Sequence, residues 1–427
     1  MQIKKEEGFR MDIMTHRFGR RAVLGGAAAA TAASLIYPAR GTFAASEAPV
    51  KIGMIDPRTG TYASLGESEI LGAQLALDQV NKAGGILGRP VQLLVEDSAA
   101  SPGLAVQKAR KLVNSEKANF LMGAVSSAVA LSLNQTGAEL KTLYMDTGGH
   151  TDPVTGTLCK WTTFRTCSTT WMLTAGNFRT LFDKFGKNWF FITPDYAFGH
   201  SLEAGYSEQL LKAGGKVLGN ALSPLGTTDF SSYLIQAKAA KPNVLILLVD
   251  GEDLINCSKQ VIQFGIEKDM AIGGALQELE ILAALPVPAR IGWWTMEWWW
   301  DQPNQAGVKE FVAAYKPRAG GKYPSARSWF GFASLHAIAL AANKAKSLDT
   351  LKVVRALEGL ELPPEIALQP NNPTYRAGDH QLIANEYPGY VLQHGTYPNL
   401  FHVADIVPGG KIAKTVEEDG CKMTYPS

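Results

Sequence analysis

The sequence predicts an α/β protein of two doubly wound lobes, each built round a parallel sheet, on three observations. From Val50 onward, short apolar runs alternate with amphipathic helical runs, the pattern of a parallel sheet covered on both faces. A loop rich in Gly, Thr and Asp at 147–160 interrupts the alternation, which then restarts. At 427 residues and 46% hydrophobic, the chain exceeds one comfortable core.

The first stretch is set aside as an export signal. Basic GRRAVLGG runs into the small-residue apolar stretch AAAATAASLIY, and the paired Arg20 and Arg21 before it point to the twin-arginine route. Thr42-Phe43-Ala44 offers small residues at the two positions a signal peptidase reads, so residues 1–44 are expected to be removed. The apolar run is short of the roughly 20 residues a membrane span needs.

Beyond the signal, VKIGMI (50–55), VQLLVE (91–96), NFLMGA (119–124) and TLYM (142–145) read as strands of the first lobe. Helices near 66–82, 102–115 and 127–138 separate them. After the loop, NWFFIT (188–193), KVLGNA (216–221), NVLILLV (243–249) and MAIGGA (270–275) form the second set. Its helices fall near 199–213, 230–240, 253–264 and 278–284. The strand IGWWTM (291–296) follows, then helices near 305–316, 326–346 and 350–358, then tail strands near 379–384, 389–394 and 401–407.

Charge and motifs remove several classes of function. The chain has 41 basic and 39 acidic residues; without the signal's seven and three, the remainder stands near −2, which disfavours nucleic acid as a partner. The sequence contains no GxSxG elbow, HExxH helix or Walker glycine loop, so catalysis and cofactors are not expected. Asp195 and His200 could be imagined as an acid/base pair, but a helix cap and a solvated first-turn histidine explain them. Cys159, Cys167, Cys257 and Cys421 lack metal-ligand spacing, and in an oxidising compartment one or two disulfides are expected, three full pairings being open.

In open parallel sheets, ligands bind beyond the carboxyl ends of the strands. Those ends read DPRTGTYASLG (56–66), GAVSSAVA (123–130) and MDTGGHTD (145–152). Hydroxyls, glycines and helix-start N–H groups suit a carboxylate. Ser126 and Ser127 also read as a helix cap, a role compatible with ligand contact.

The run TGTYASLGESEILGAQLALDQVNKAGGILGRPVQLLVED, with GAVSS, DYAFG (195–199) and AGDHQ (377–381), resembles periplasmic solute-binding proteins of the leucine/isoleucine/valine-binding type, which serve ABC importers. The resemblance spans essentially the whole chain after the signal. It implies a Venus-flytrap of two lobes joined by three hinge crossovers, lobe I being 45–166 plus 296–375 and lobe II 167–295 plus 376–427. Closure would enclose a small molecule that a membrane permease then receives, and the protein is expected to act as a monomer in the periplasm.

Matched residue by residue, Ser127 resembles the serine that binds a ligand carboxylate. Thr147, Gly148 and Gly149 fall where backbone groups meet the ligand head, and His150 stands where Thr or Ser is usual. Leu65 replaces a tyrosine. Phe198, with Tyr196 beside it, falls where the second lobe presents a ring. Asp250 ends a second-lobe strand, and Leu276 or Gln277 stands where an acidic residue would hold an α-ammonium. An amino-acid head group is thereby disfavoured. Related proteins with a similar GxxC and a terminal GC imply a Cys159–Cys421 pair, with Cys159–Cys167 the local alternative.

Five of the nine tryptophans lie between Trp293 and Trp300, at the expected second crossover. Strand alternation puts Trp293 and Trp294, and likewise Trp298 and Trp299, on opposite faces, so they cannot all line one cleft. Packing in lobe cores explains two or three; at least one, taken as Trp298, is expected at the cleft. Trp171 begins a second-lobe helix and is a further candidate. Arg165 either meets a carboxylate or pairs with Asp146 or Asp152. Together these features favour an aromatic or apolar acid as ligand, with a branched-chain or aromatic amino acid, or a sensor role, as alternatives.

Overall fold

A computed structural model describes residues 48–426. The export signal lies outside the described residues. The first lobe runs β1 (Val50–Asp56), α1 (Ala63–Lys82), β2 (Val91–Asp97), α2 (Pro102–Asn114), β3 (Phe120–Gly123), α3 (Ser127–Leu140), β4 (Tyr144–Asp146) and β5 (Thr163–Arg165). The sheet has the order β2-β1-β3-β4-β5, parallel throughout.

The second lobe follows with α4 (Thr170–Phe185), β6 (Asn188–Pro194), α5 (Ala197–Lys212), β7 (Lys216–Ser223), α6 (Ser231–Ala240), β8 (Val244–Leu247), α7 (Glu252–Gln263), β9 (Ala271–Gly273), α8 (Leu279–Ala284) and β10 (Trp293–Met296). The chain returns with α9 (Val308–Arg318), α10 (Ala326–Ala345), α11 (Thr350–Leu357) and α12 (Pro364–Ala367), whose apolar residues join the first core. The tail holds β11 (Thr374–Tyr375), β12 (Leu382–Ile383), β13 (Tyr387–Val391), β14 (Phe401–Val403), α13 (Gly409–Ile412) and α14 (Val416–Asp419).

The second sheet has the order β14-β13-β10-β9-β8-β6-β7. Its last two strands are antiparallel, β13 to β10 and β14 to β13. Here the structure departs from a purely parallel sheet. β14 follows β13 after a short loop, and a short loop between paired strands delivers an antiparallel neighbour. The backbone passes between the sheets three times, after Arg165, after Met296 and between Ile383 and Tyr387. Tyr375, Leu382 and Ala384 still pack in the first core.

β5 and α4 escape the periodicity of the sequence, as do the short β11, α12, α13 and α14. β5 is only three residues long, and α4 begins in the polar run CSTT, where Thr169 caps it by accepting the Met172 N–H at 3.0 Å. Three residues are too few to display a period of two.

The close crossing of α1 and α10 positions the site. A Cβ on Gly72 would stand 1.8 Å from the Ser328 carbonyl oxygen, and one on Gly331 would stand 2.0 Å from that of Glu69. Only glycine permits that approach. It sets Glu69 of α1 beside Arg327 in the first turn of α10.

Cys159 is bonded to Cys421 across 262 residues, so the terminal segment is held to the loop after β4. Cys167 and Cys257 are buried free thiols. Among the described residues, no helix is long and apolar enough to cross a membrane.

Candidate functional site

The strand ends of the first sheet carry their polar groups inward. Asp56 ends β1 and accepts the Ala124 N–H at 2.7 Å, which fixes the turn into α3. Asp146 ends β4 and accepts the Gly149 N–H at 2.8 Å. Both carboxylates are fully buried, and the second oxygen of each has no hydrogen-bond partner. Burial pushes Asp56 up to about 7 and Asp146 up to about 8.

At the centre stands Arg327, 1% exposed. Its Nη1 donates to Glu69 Oε1 at 3.1 Å and to the Gly148 carbonyl at 3.3 Å. Its Nε donates to Glu278 Oε1, and its Nη2 lies 3.6 Å from Asp250 Oδ2. One guanidinium thus joins a carboxylate of the first lobe to two of the second. Burial raises Glu69, Glu278 and Asp250 above the ordinary carboxylate range against the pull of Arg327. Burial disfavours the charge on Arg327, yet the surrounding Glu278, Glu69 and Asp250 hold it well above its ordinary value. Three acids face one base, and Glu278 Oε2 is buried with no partner.

Around it lie the residues expected from the sequence. Ser126 Oγ is buried without a partner, whereas Ser127 Oγ accepts the Thr151 N–H at 3.2 Å. Thr147 donates its hydroxyl to Glu69 Oε2. His150 Nε2 meets Glu297 Oε2 at 2.6 Å, and Glu297 Oε1 accepts the Ser168 N–H at 2.7 Å. Burial lowers the His150 pKa, and the neighbouring Glu297 carboxylate pulls it the other way.

Phe198 packs 5.9 Å from the His150 ring. Tyr196 meets Tyr62 hydroxyl to hydroxyl at 2.5 Å, one from each lobe. Leu65 is buried in the core of the second lobe although it belongs to α1, so the lobes are closed on each other.

Other candidates lie apart. Trp171 turns to the tail: its Nε1 donates to the Ile412 carbonyl at 3.0 Å, and Lys414 Nζ sits 4.2 Å over its ring. Trp298 is packed in the first core, where its Nε1 donates to the Leu368 carbonyl at 2.8 Å, though its edge and that of Trp299 flank Gln277 and Glu278. Trp294 and Trp299 belong to the second core, and Trp293 is half-buried on the other face of the sheet, packed beside Phe185 with Lys184 Nζ 4.2 Å over its ring. The Gln277 side chain folds back to accept the Glu278 N–H at 3.0 Å. Arg165 is spent on the carbonyls of Thr151 at 2.6 Å and Gly149 at 3.2 Å and on Gln381 at 2.6 Å, so it fixes the loop after β4 instead of pairing with Asp146 or Asp152.

Arg327, Glu69, Glu278 and Glu297 were not singled out from the sequence. A signal existed for one of them. Leu65, Glu69, Gly72 and Ala76 share the buried stripe of α1, and a glutamate on an apolar stripe announces a buried partner. Glu278, one residue beyond Gln277, points inward, and Asp250 joins it.

A family model described as periplasmic binding protein matches residues 49–395. Leu/Ile/Val-binding protein homolog 8 of Brucella abortus is 28% identical over 337 residues, 75% of this chain and 83% of that protein. A periplasmic binding protein of Burkholderia mallei superposes with a TM-score of 0.81 at 29% identity, covering 87% of this chain and 98% of the other. An amino acid ABC transporter substrate-binding protein of Pseudomonas fluorescens gives 0.79 at 25% identity, covering 88% and 100%.

Proposed function

The chain belongs to the periplasmic binding protein family, and from that premise we propose that it is the substrate-binding component of an ABC importer that captures a small carboxylate by hinge closure. The carrying observation is Arg327, a buried guanidinium reached by acids of both lobes. A guanidinium fork matches a carboxylate geometrically, and the free Ser126 hydroxyl adds a donor beside the start of α3.

The surplus of acid over base favours a ligand that also carries an ammonium. An amino acid, branched-chain or aromatic, therefore stands ahead of a nitrogen-free aromatic acid. Glu278 and Asp250 would receive the ammonium, while Tyr62, Tyr196, Phe198 and Leu65 wall the cleft. In this reading His150 shapes the site through Glu297, and Gly148 and Gly149 keep the loop close to the ligand head.

Lobe I comprises 45–166 and 296–375 and lobe II the remainder of the exported chain; the packing of Leu382 and Ala384 in the first core argues for moving the last boundary to about Ala384. The protein leaves the cytoplasm by the twin-arginine route, works as a monomer and delivers its ligand to a membrane permease.

The test is thermal melting against amino acids and aromatic acids, with mass spectrometry of small molecules released from fresh protein. A binder gains RT ln(1 + [L]/Kd) and returns the ligand unchanged. Stabilisation by leucine or phenylalanine supports the amino-acid reading. Stabilisation by benzoate alone reverses the preference, and turnover of any hit overturns the binding role.

A further inference from the structure

A groove of about 710 Å³ opens between the lobes beside the buried centre. The first lobe contributes Leu71 of α1 and Tyr315 of α9; the second contributes Leu279 and Ala283 of α8. Its volume lies within the roughly 300–1,000 Å³ of ordinary small-molecule sites.

The groove follows the centre along the chain at α8, where Glu280, which lines the groove, comes two residues after Glu278. Arg327 bonds Glu278 across the lobes. Two residues earlier on one side and two later on the other, Ser325 donates its hydroxyl to Glu280 Oε1 at 2.5 Å. These are two rungs of one ladder. The inner rung lies at the centre, and Glu280 of the outer rung lines the groove. Leu279, between the two glutamates, lines both the groove and the small space behind Glu278.

The outer rung is incomplete. Glu280 Oε2 is sequestered without a hydrogen-bond partner, and a sequestered carboxylate oxygen is costly unless something donates to it. Glu67 and Glu252 line the same groove. Of the bases there, Arg318 is turned to Asp78, which leaves Lys322 against three acids. Between the charged ends, the walls are Leu71, Leu279, Ala283 and the tyrosine rings. An aliphatic stem ending in a cation fits that sequence of surfaces: apolar contact along the stem, then a carboxylate, with aromatic faces beside it.

Resting on the reading of the cleft as a carboxylate site, we propose that this groove is a second subsite, which takes the outer part of an amino-acid ligand whose side chain is long and ends in a cationic group that pairs with Glu280. The head group stays at Arg327. The side chain passes Leu279, and its terminal ammonium replaces or joins the Ser325 hydroxyl on Glu280.

Isothermal titration with lysine, norleucine and leucine tests this, since lysine and norleucine share a carbon skeleton and differ in the terminal ammonium. Wild type should bind lysine on the order of ten-fold or more tighter than norleucine, the worth of one charge-assisted hydrogen bond. Glu280→Gln should abolish that preference and leave leucine unchanged. Ala283→Trp, which fills the groove, should weaken lysine and norleucine together and spare leucine. Leucine binding with no lysine preference, or a preference that survives Glu280→Gln, overturns the subsite while the cleft reading stands. If none of the three amino acids binds wild type, the amino-acid cleft has failed and the subsite with it.

Discussion

At Arg327 a single guanidinium is shared among three carboxylates and one carbonyl. A lysine there would keep the charge and lose the fork, so Arg327→Lys should weaken ligand binding by about 1.5–3 kcal/mol while the protein stays folded, read by titration and by circular dichroism. Ser126 and Ser127 separate cleanly. Ser127 already serves the Thr151 N–H, whereas Ser126 is free, so Ser126→Ala should cost the larger affinity. Equal losses would mean that the ligand does not distinguish the two hydroxyls.

Asp146 makes a statement about pH. Its carboxyl is held at about 8 in the fold by burial, against roughly 3.9 in the unfolded chain. The folded state therefore binds the extra proton. The stability this group contributes is full below pH 4 and is lost as pH rises through 8, by at most about 1.4 kcal/mol per pH unit. Asp56, held at about 7, acts in the same direction. The melting temperature should fall from pH 5 to 8.5, and Asp146→Asn should flatten the fall. An unchanged slope would show that Asp146 does not titrate over that range.

Among the elements, β10 and its extension show what a tryptophan cluster is for. The pairing of β10 with β13 and β9 turns Trp294 into the second core and Trp293 to the other face of the sheet, as the period of a strand demands. Beyond the strand, Trp298 enters the first core and Trp299 the second. One crossover thus pins both lobes. Trp298→Ala should destabilise by about 3–5 kcal/mol in denaturant melts and leave the affinity of the surviving folded protein nearly unchanged. A large affinity loss at unchanged stability would instead place the indole against the ligand. The stripe of α1 teaches the complementary point. Its periodicity was legible, and Glu69 stood on the buried side, but the helix alone does not say which cation answers it.

For the whole molecule, the Arg327 cluster ties the two lobes together, because its acids come from both. Removing one partner of a buried ion pair costs about 3–5 kcal/mol, comparable to the roughly 5.5 kcal/mol that carries a two-state equilibrium from one extreme to the other. Glu278→Gln should therefore loosen the contact between the lobes, seen as a larger radius of gyration in X-ray scattering. An unchanged radius would assign closure to the apolar contacts of Tyr62, Leu65 and Val125 with the second core.

By itself the sequence determined the α/β class, the two rounds of alternation, nearly every long element, and the loops at the strand ends. Each follows from local periodicity and turn chemistry, which a few consecutive residues display. Its resemblance to a known family supplied the family and the Cys159–Cys421 pairing, and its pattern gave the tail strands, but the sequence did not reveal their antiparallel pairing onto the second sheet or the charged centre. Arg327 finds Glu69 at a separation of 258 residues and Glu278 at 49. Which buried charge meets which is decided by the crossing of α1 on α10 and the closure of one sheet on the other. Only the tertiary structure could decide it, because the energy of a buried ion depends on everything around it and not on its neighbours in the chain.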